Sequence, residues 1–214
     1  MQRRHILLLP AVLTLAACGK PSDAPTSAAA PGASNDKSGT APPSAPQAAT
    51  PAAPSGTPSP TEALTLAAQG HGFTVGVAMA ANPVYVFFDA ACPHCAQLWT
   101  SAKPLLNRIK MVWMPVGILR ATSGPQGATI LSAPDPAAAM DTHESSVLAK
   151  GPGIVVDAAR AESVMAQVKK NTELFNQLGA DSVPFIVFRQ AGNGTPATHA
   201  GALDTAGLSS LLGL

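Results

Sequence analysis

Cys92, Pro93, His94 and Cys95 form a Cys-x-x-Cys motif. Two thiols at this spacing suit thiol–disulfide exchange, in which a thiolate attacks a disulfide sulfur and a second thiol resolves the mixed product. The motif follows an apolar run, Pro83 to Asp89, and opens a segment that reads as helix. Cys92 is therefore expected at a helix N-terminus. Unpaired backbone N–H groups and the helix dipole favour an anion there and lower a thiol pKa. Pro93 suits the first helical turn, where its missing N–H costs nothing. His94 can stabilise a thiolate by charge or hydrogen bonding. Cys95 falls about one turn on, within reach of Cys92.

Other chemistries fit less well. A Cys-x-x-Cys can be half a zinc site, but the chain has no second such pair and no histidine pair at ligand spacing, so no metal is expected. Residue 96 is Ala, which excludes the Cys-x-x-Cys-His of a c-type haem. An inert structural disulfide stays open, although so short a loop constrains the unfolded chain little. No cofactor is implied. A net charge of +1 with 12 % charged residues offers no basic face for nucleic acid.

The third cysteine, Cys18, has a different setting. Gln2-Arg3-Arg4-His5 is a short basic start, and Ile6 to Ala17 is apolar except for Pro10 and Thr14. The run is shorter than the roughly 20 residues a spanning helix needs and fits a secretory signal peptide over residues 1–17. Leu15-Ala16-Ala17-Cys18-Gly19 resembles a bacterial lipobox, which implies a lipid anchor at Cys18. Gly19, where Asp would favour the inner membrane, leans the expectation to the outer membrane. With Cys18 blocked by lipid, Cys92 and Cys95 are the pair left for exchange.

Residues 18–60 read as a tether rich in Pro, Ala and Ser. Lys20 to Pro60 has no Leu, Ile, Val, Met, Phe, Tyr or Trp, so it cannot offset the entropy of ordering. Its limiting reach is on the order of 120 Å. Residues 61–214 are the size of one domain. Within them the patterns predict a helix over Glu62–Gln69, strands over Phe73–Met79 and Pro83–Asp89, and a helix from Cys92 to Arg108 kinked at Pro104. A strand over Lys110–Leu119 follows, then helical pieces across Gly124–Lys150 broken near Pro134 and Pro136, and a long helix over Ala159–Leu178. Strands at Pro184–Arg189 and His199–Ala202 precede a last helix capped by Asp204 and ending near Gly213. The order implies an α/β layered domain. Asp89 suits a loop or capping role, with a proton shuttle beside the cysteines as the alternative; His71, His143 and His199 read as surface or loop histidines, and Trp99 and Trp113 as core.

The segment from Val84 through Cys92-Pro93-His94-Cys95 to Trp99 resembles the active-site strand and helix of the DsbC/DsbG family of periplasmic disulfide isomerases, and DsbG more than DsbC. Pro115 to Leu119, Gly127 to Leu131, Asn171 to Ala180 and Val183-Pro184 resemble later elements of that family. The resemblance covers roughly Pro83 to Leu214. It implies an α/β, thioredoxin-like fold with an inserted helical subdomain. It also implies that Cys92 attacks, that Cys95 resolves, and that Pro184 is a cis-proline which, with Val183, presents backbone to substrate. The family's N-terminal dimerisation domain has no counterpart in the stretch before Pro83. Val183 stands where the family usually has Thr, and Cys-Pro-His-Cys with Val before the cis-proline is similar to the oxidase DsbA. DsbA carries a buried Glu on its active-site strand, where this chain has Val86.

These features imply a thiol–disulfide oxidoreductase facing the periplasm, acting on cysteines of exported proteins. A DsbD-like electron donor or a DsbB-like oxidant in the membrane would be its redox partner. Isomerase, reductase and oxidase directions stay open. A non-catalytic envelope chaperone is the alternative from another class.

Overall fold

The computed structural model describes residues 56–214; the leader, Cys18 and the tether up to residue 55 lie outside the described residues. At the centre is β2 (Pro83–Asp89), whose last four residues are all buried, as a strand covered on both faces requires. It pairs in parallel with β3 (Lys110–Val116), from Pro83 opposite Lys110 to Asp89 opposite Val116. On its other side β4 (Phe185–Arg189) runs antiparallel, with Phe185 opposite Phe87. β1 (Phe73–Gly76) and β5 (Pro196–Ala200) form the edges, giving the order β1-β3-β2-β4-β5.

Alternation along β2 sorts the helices to opposite faces. Phe87 meets Phe175 of α5 (Ala158–Gln177), with ring centroids 6.1 Å apart. Phe88 points the other way, to Trp113 at 5.8 Å, which stacks edge-on with Trp99 of α2 (Pro93–Ala102) at 5.0 Å. α1 (Pro60–Ala67) shares the α5 face, and α6 (Thr205–Leu212) packs beside α2. Between β3 and α5 come α3 (Ser123–Leu131) and α4 (Pro136–Leu148), with α4 packed on α2.

Boundaries differ from the expected ones for identifiable reasons. α1 begins at Pro60 because Ser59 and Glu62 form a reciprocal capping box. β1 stops at Gly76, whose φ of +89° leaves the strand region. α2 ends at Ala102 and a 3₁₀ turn over Lys103–Leu105 replaces the expected kinked helix, since Pro104 has no N–H to continue the ladder. β3 ends at Val116 because the N–H groups of Ile118 and Leu119 turn to the Asp89 carboxylate. The last strand lies at Pro196–Ala200, earlier than His199–Ala202. Its half-exposed edge position leaves little alternation to read, and Gly201 at φ +99° ends it. Asp204 caps α6 by accepting from Gly207 N at 2.7 Å, as expected.

Candidate active site

Cys92 is the N-cap residue of α2, and Pro93 is its first helical residue. Both Cys92 and Cys95 are free thiols. They differ sharply in environment. Cys92, 4 % exposed, sits at the rim, while Cys95 is 0 % exposed beneath it. The Cys95 S–H donates toward the Cys92 sulfur and is the largest influence lowering its pKa, to about 6. Partial burial opposes this, and the backbone N–H groups of Cys95 and His94 and the charge of His94 add to it. Burial first, then the S–H donation and the neighbouring thiolate, push Cys95 well above the ordinary thiol range. The two thiols therefore differ, Cys92 being the more readily ionised and Cys95 the more firmly protonated.

His94 is exposed, and its Nδ1 lies 3.0 Å from Gln97 Oε1. It acts on Cys92 through charge, and its ring is bonded to Gln97. The Val183–Pro184 peptide bond is cis. Antiparallel pairing of Phe185 with Phe87 brings this turn to the end of β2, where the Val183 carbonyl lies 3.5 Å from Cys92 Sγ and accepts its S–H. Cys92, Cys95, Pro93 and Val183-Pro184 thus meet at one end of the sheet, where β2 finishes and β4 starts. Beside Pro93 opens a groove of about 270 Å³, bordered by Ala90, Ala91, Arg120, Lys150 and Pro152.

Asp89 is 0 % exposed and fully bonded. Its Oδ1 accepts from Ala91 N at 2.8 Å and Ser123 Oγ at 2.5 Å, and its Oδ2 accepts from Ile118 N at 2.8 Å and Leu119 N at 3.0 Å. It ties the active-site strand to the β3–α3 loop. Trp99 and Trp113 are core residues, and Trp99 Nε1 donates to Asp141 Oδ1 at 2.6 Å. His71 is exposed and His199 half-exposed.

His143 is a correction, being neither surface nor loop. It is wholly buried on α4, where Nε2–H donates to Ala90 O at 2.6 Å and Nδ1 accepts from Ile154 N at 2.9 Å. Burial holds its pKa below the ordinary histidine value. Gly153 must be glycine here: at φ +80°, an added Cβ would lie 2.5 Å from His143 Cε1. The residue that sequence reasoning missed is Glu144, next along α4. It is 1 % exposed, and neither carboxylate oxygen has a hydrogen-bond partner. Burial first, then the charges of Cys92 and Asp89, push its pKa up to about 9. No motif marks it, because α4 has little polar–apolar periodicity.

Among the described residues no group of three or more His, Cys, Asp or Glu is placed to hold a metal, and no helix is long and apolar enough to cross a membrane.

No protein-family model matches the chain. Two curated relatives do. The thiol:disulfide interchange protein DsbG of Pseudomonas aeruginosa is 31 % identical over 140 residues, 64 % of this chain and 54 % of that protein. DsbG of Escherichia coli K12 is 30 % identical over 127 residues, 58 % of this chain and 50 % of that protein. Over the matched stretches the chain is similar to DsbG. The chain spans about half the length of these curated relatives. Among solved structures, the thiol-disulfide exchange protein alpha-DsbA2 from Wolbachia pipientis superposes with a TM-score of 0.56 at 16 % identity, over 71 % of this chain and 91 % of that one. Such neighbours identify the fold as thioredoxin-like, and α3 and α4 form a helical insertion between β3 and α5.

Proposed function

We propose that the chain is a thiol–disulfide oxidoreductase acting on cysteines of exported proteins through Cys92 and Cys95. The observation that carries this reading is the asymmetry of the pair. Cys92 is held near 6 at a helix N-cap, and Cys95 is kept protonated below it. At neutral pH the Cys92 thiolate attacks a substrate disulfide and forms a mixed disulfide. Cys95 then attacks Cys92 Sγ and expels the substrate thiolate. Run in reverse, the oxidised pair donates its disulfide to a substrate dithiol. His94 supports the thiolate by charge, Pro93 starts the helix, and the Val183 carbonyl with Pro184 forms the backbone ledge on which the substrate lies beside Cys92.

The low Cys92 pKa stabilises the dithiol state relative to the disulfide, which favours disulfide donation. In that direction a DsbB-like oxidant would recharge the pair. In the isomerase or reductase direction a DsbD-like donor would keep it reduced. The leader and lipobox-like segment support a periplasm-facing protein anchored by lipid at Cys18, in the outer membrane by the Gly19 criterion.

The test is the redox equilibrium of the pair against glutathione buffers, using the full chain with Cys18→Ser so that only two thiols are counted. A potential near about −120 mV supports the donor direction, and one near roughly −200 to −270 mV supports the reductant direction. A pair that forms no disulfide at any buffer ratio overturns the enzyme reading.

A further inference from the structure

The exchange pair has a second surface beside it. The groove of about 270 Å³ is bordered by Ala91 and Pro93, the two chain neighbours of Cys92, and not by Val183 or Pro184. Lys150, just past α4, and Arg120, in the β3–α3 loop, border it too, and both are exposed. No acid borders it. Among the described residues the ion pairs are Lys103–Asp141 and Arg160–Asp157, so Arg120 and Lys150 have no acidic partner. The groove's carbonyls are largely taken by the protein itself. That of Ala90 accepts from His143 Nε2, that of Thr122 from Gln126 N, that of Val147 from Lys150 N and that of Pro152 from Gln126 Nε2. The groove therefore offers positive charge and few free acceptors, which suits a carboxylate.

We propose that this groove selects exported substrates that carry Asp or Glu within a few residues of the reacting cysteine. This rests on the exchange reading above and adds a substrate class to it. An extended segment advances roughly 3.3 Å per residue. Residues one to three positions from a cysteine joined to Cys92 therefore fall within about 10 Å of it, beside Ala91 and Pro93. The Cys92 thiolate is itself negative and repels an acidic segment, and Arg120 and Lys150 oppose that repulsion on the approach to it. Acids of the flanking elements do not cancel the two cations. Asp89 is enclosed by four donors, Asp141 is paired with Lys103, and Asp135 caps the far end of α4. Glu144 is uncharged at neutral pH, because burial pushes its pKa up to about 9.

Both cations stand on fixed backbone. Arg120 N–H donates to Ser123 Oγ at 3.1 Å, and its carbonyl accepts from Ser123 N at 3.0 Å. Ser123 in turn bonds to Asp89 at the end of β2, so Arg120 is tied to the strand that leads to Cys92. Lys150 has a φ of +61°, the only positive φ of a non-glycine residue among the described residues. Glycine adopts this conformation freely, so the chain carries a backbone cost in keeping a long cation at the groove.

The experiment is stopped-flow reaction of the reduced full chain, with Cys18→Ser, with disulfides that join a short cysteine peptide to a coloured aromatic thiol. The aromatic thiolate is the better leaving group. Cys92 Sγ therefore bonds to the peptide sulfur, the old S–S bond breaks, and the aromatic sulfur leaves with the electron pair. The peptides carry Asp, Asn or Lys on both sides of the cysteine. Each rate is divided by that of mercaptoethanol with the same peptide, which removes the peptide's own reactivity. The Asp peptide is expected to react about tenfold faster than the Lys peptide at low salt, with the ratio shrinking as salt rises. Arg120→Glu and Lys150→Glu are each expected to lower the ratio at least about threefold. Arg108→Glu makes the same charge change as Arg120→Glu at the other end of β2, and is expected to lower the ratio less than either. A wild-type ratio under about threefold, which needs no variant to fold, overturns the proposal and leaves the exchange reading intact. An equal fall in Arg120→Glu and Arg108→Glu also overturns it, since overall charge would then set the preference. Absence of coloured release from every peptide overturns the exchange reading, and the proposal with it.

Discussion

The strand-and-helix frame and the helical insertion solve the same problem, a buried acid near two thiols, in opposite ways. In the frame, Asp89 ends β2 and meets four donors from the Ala91 backbone, the β3–α3 loop and Ser123. In the insertion, Glu144 is equally dry and meets none. A carboxyl surrounded by donors is held in place by them and holds them in turn. A carboxyl without donors is easily protonated and so is free to change state. The frame thus supplies geometry, and the insertion supplies a group able to hold a proton.

The largest effect that tests this division falls on the frame. Cys92→Ser is expected to abolish disulfide exchange with a peptide substrate, whereas Cys95→Ser should accumulate a mixed disulfide at Cys92 visible by mass. Exchange activity retained in Cys92→Ser would return the domain to the chaperone alternative.

Asp89→Asn comes next. The amide would turn a donor toward backbone N–H groups or Ser123, leaving at least two buried partners unmet. A loss of roughly 4 kcal/mol is expected in denaturant unfolding. A loss below about 1 kcal/mol would mean that the loop is held by something other than Asp89.

Glu144→Gln should behave in the opposite sense as pH rises. The folded pKa of Glu144 is raised from 4.5 to about 9, so its protonated form contributes stability that is full below 4.5 and is lost as pH rises toward 9. The wild type should therefore lose roughly 3 kcal/mol relative to Glu144→Gln between pH 5 and pH 7. Thermal unfolding of the two proteins at both pH values measures it, and parallel curves would show that Glu144 does not titrate in this window.

The smallest effect is at the end of α4. Lys150 N–H bonds to Val147 O at 2.9 Å and Gly151 N–H to Ser146 O at 2.7 Å, a Schellman ending with Lys150 at φ +61°. Glycine is the residue that adopts this conformation without strain, so Lys150→Gly should stabilise the domain by about 1 kcal/mol. Lys150 also borders the groove beside Pro93. Slower reaction with acidic peptide disulfides despite the added stability would show that its charge is used there.

Much of the frame was legible in the residues themselves. The apolar run Pro83–Asp89 reads as a strand buried on both faces, and the Cys92–Cys95 spacing with Pro93 reads as a helix start, because both signals are local. Asp204 marks the last helix by the same local chemistry. The pairing of Phe185 with Phe87 is not local. That pairing brings the Val183 carbonyl to Cys92 across 91 positions of sequence. His143 and Glu144 were opaque for a similar reason. On α4, polar residues occur all round the helix, so no stripe distinguishes the buried side from the exposed one. A histidine and a glutamate there carry no sign of burial until α2 is packed against them. The sequence by itself determined the helix that starts at Cys92 and the strand that leads to it, since these depend on neighbours a few residues apart. Only the tertiary structure decided which of two acids would be satisfied, because a carboxyl's partners are set by what folding brings around it.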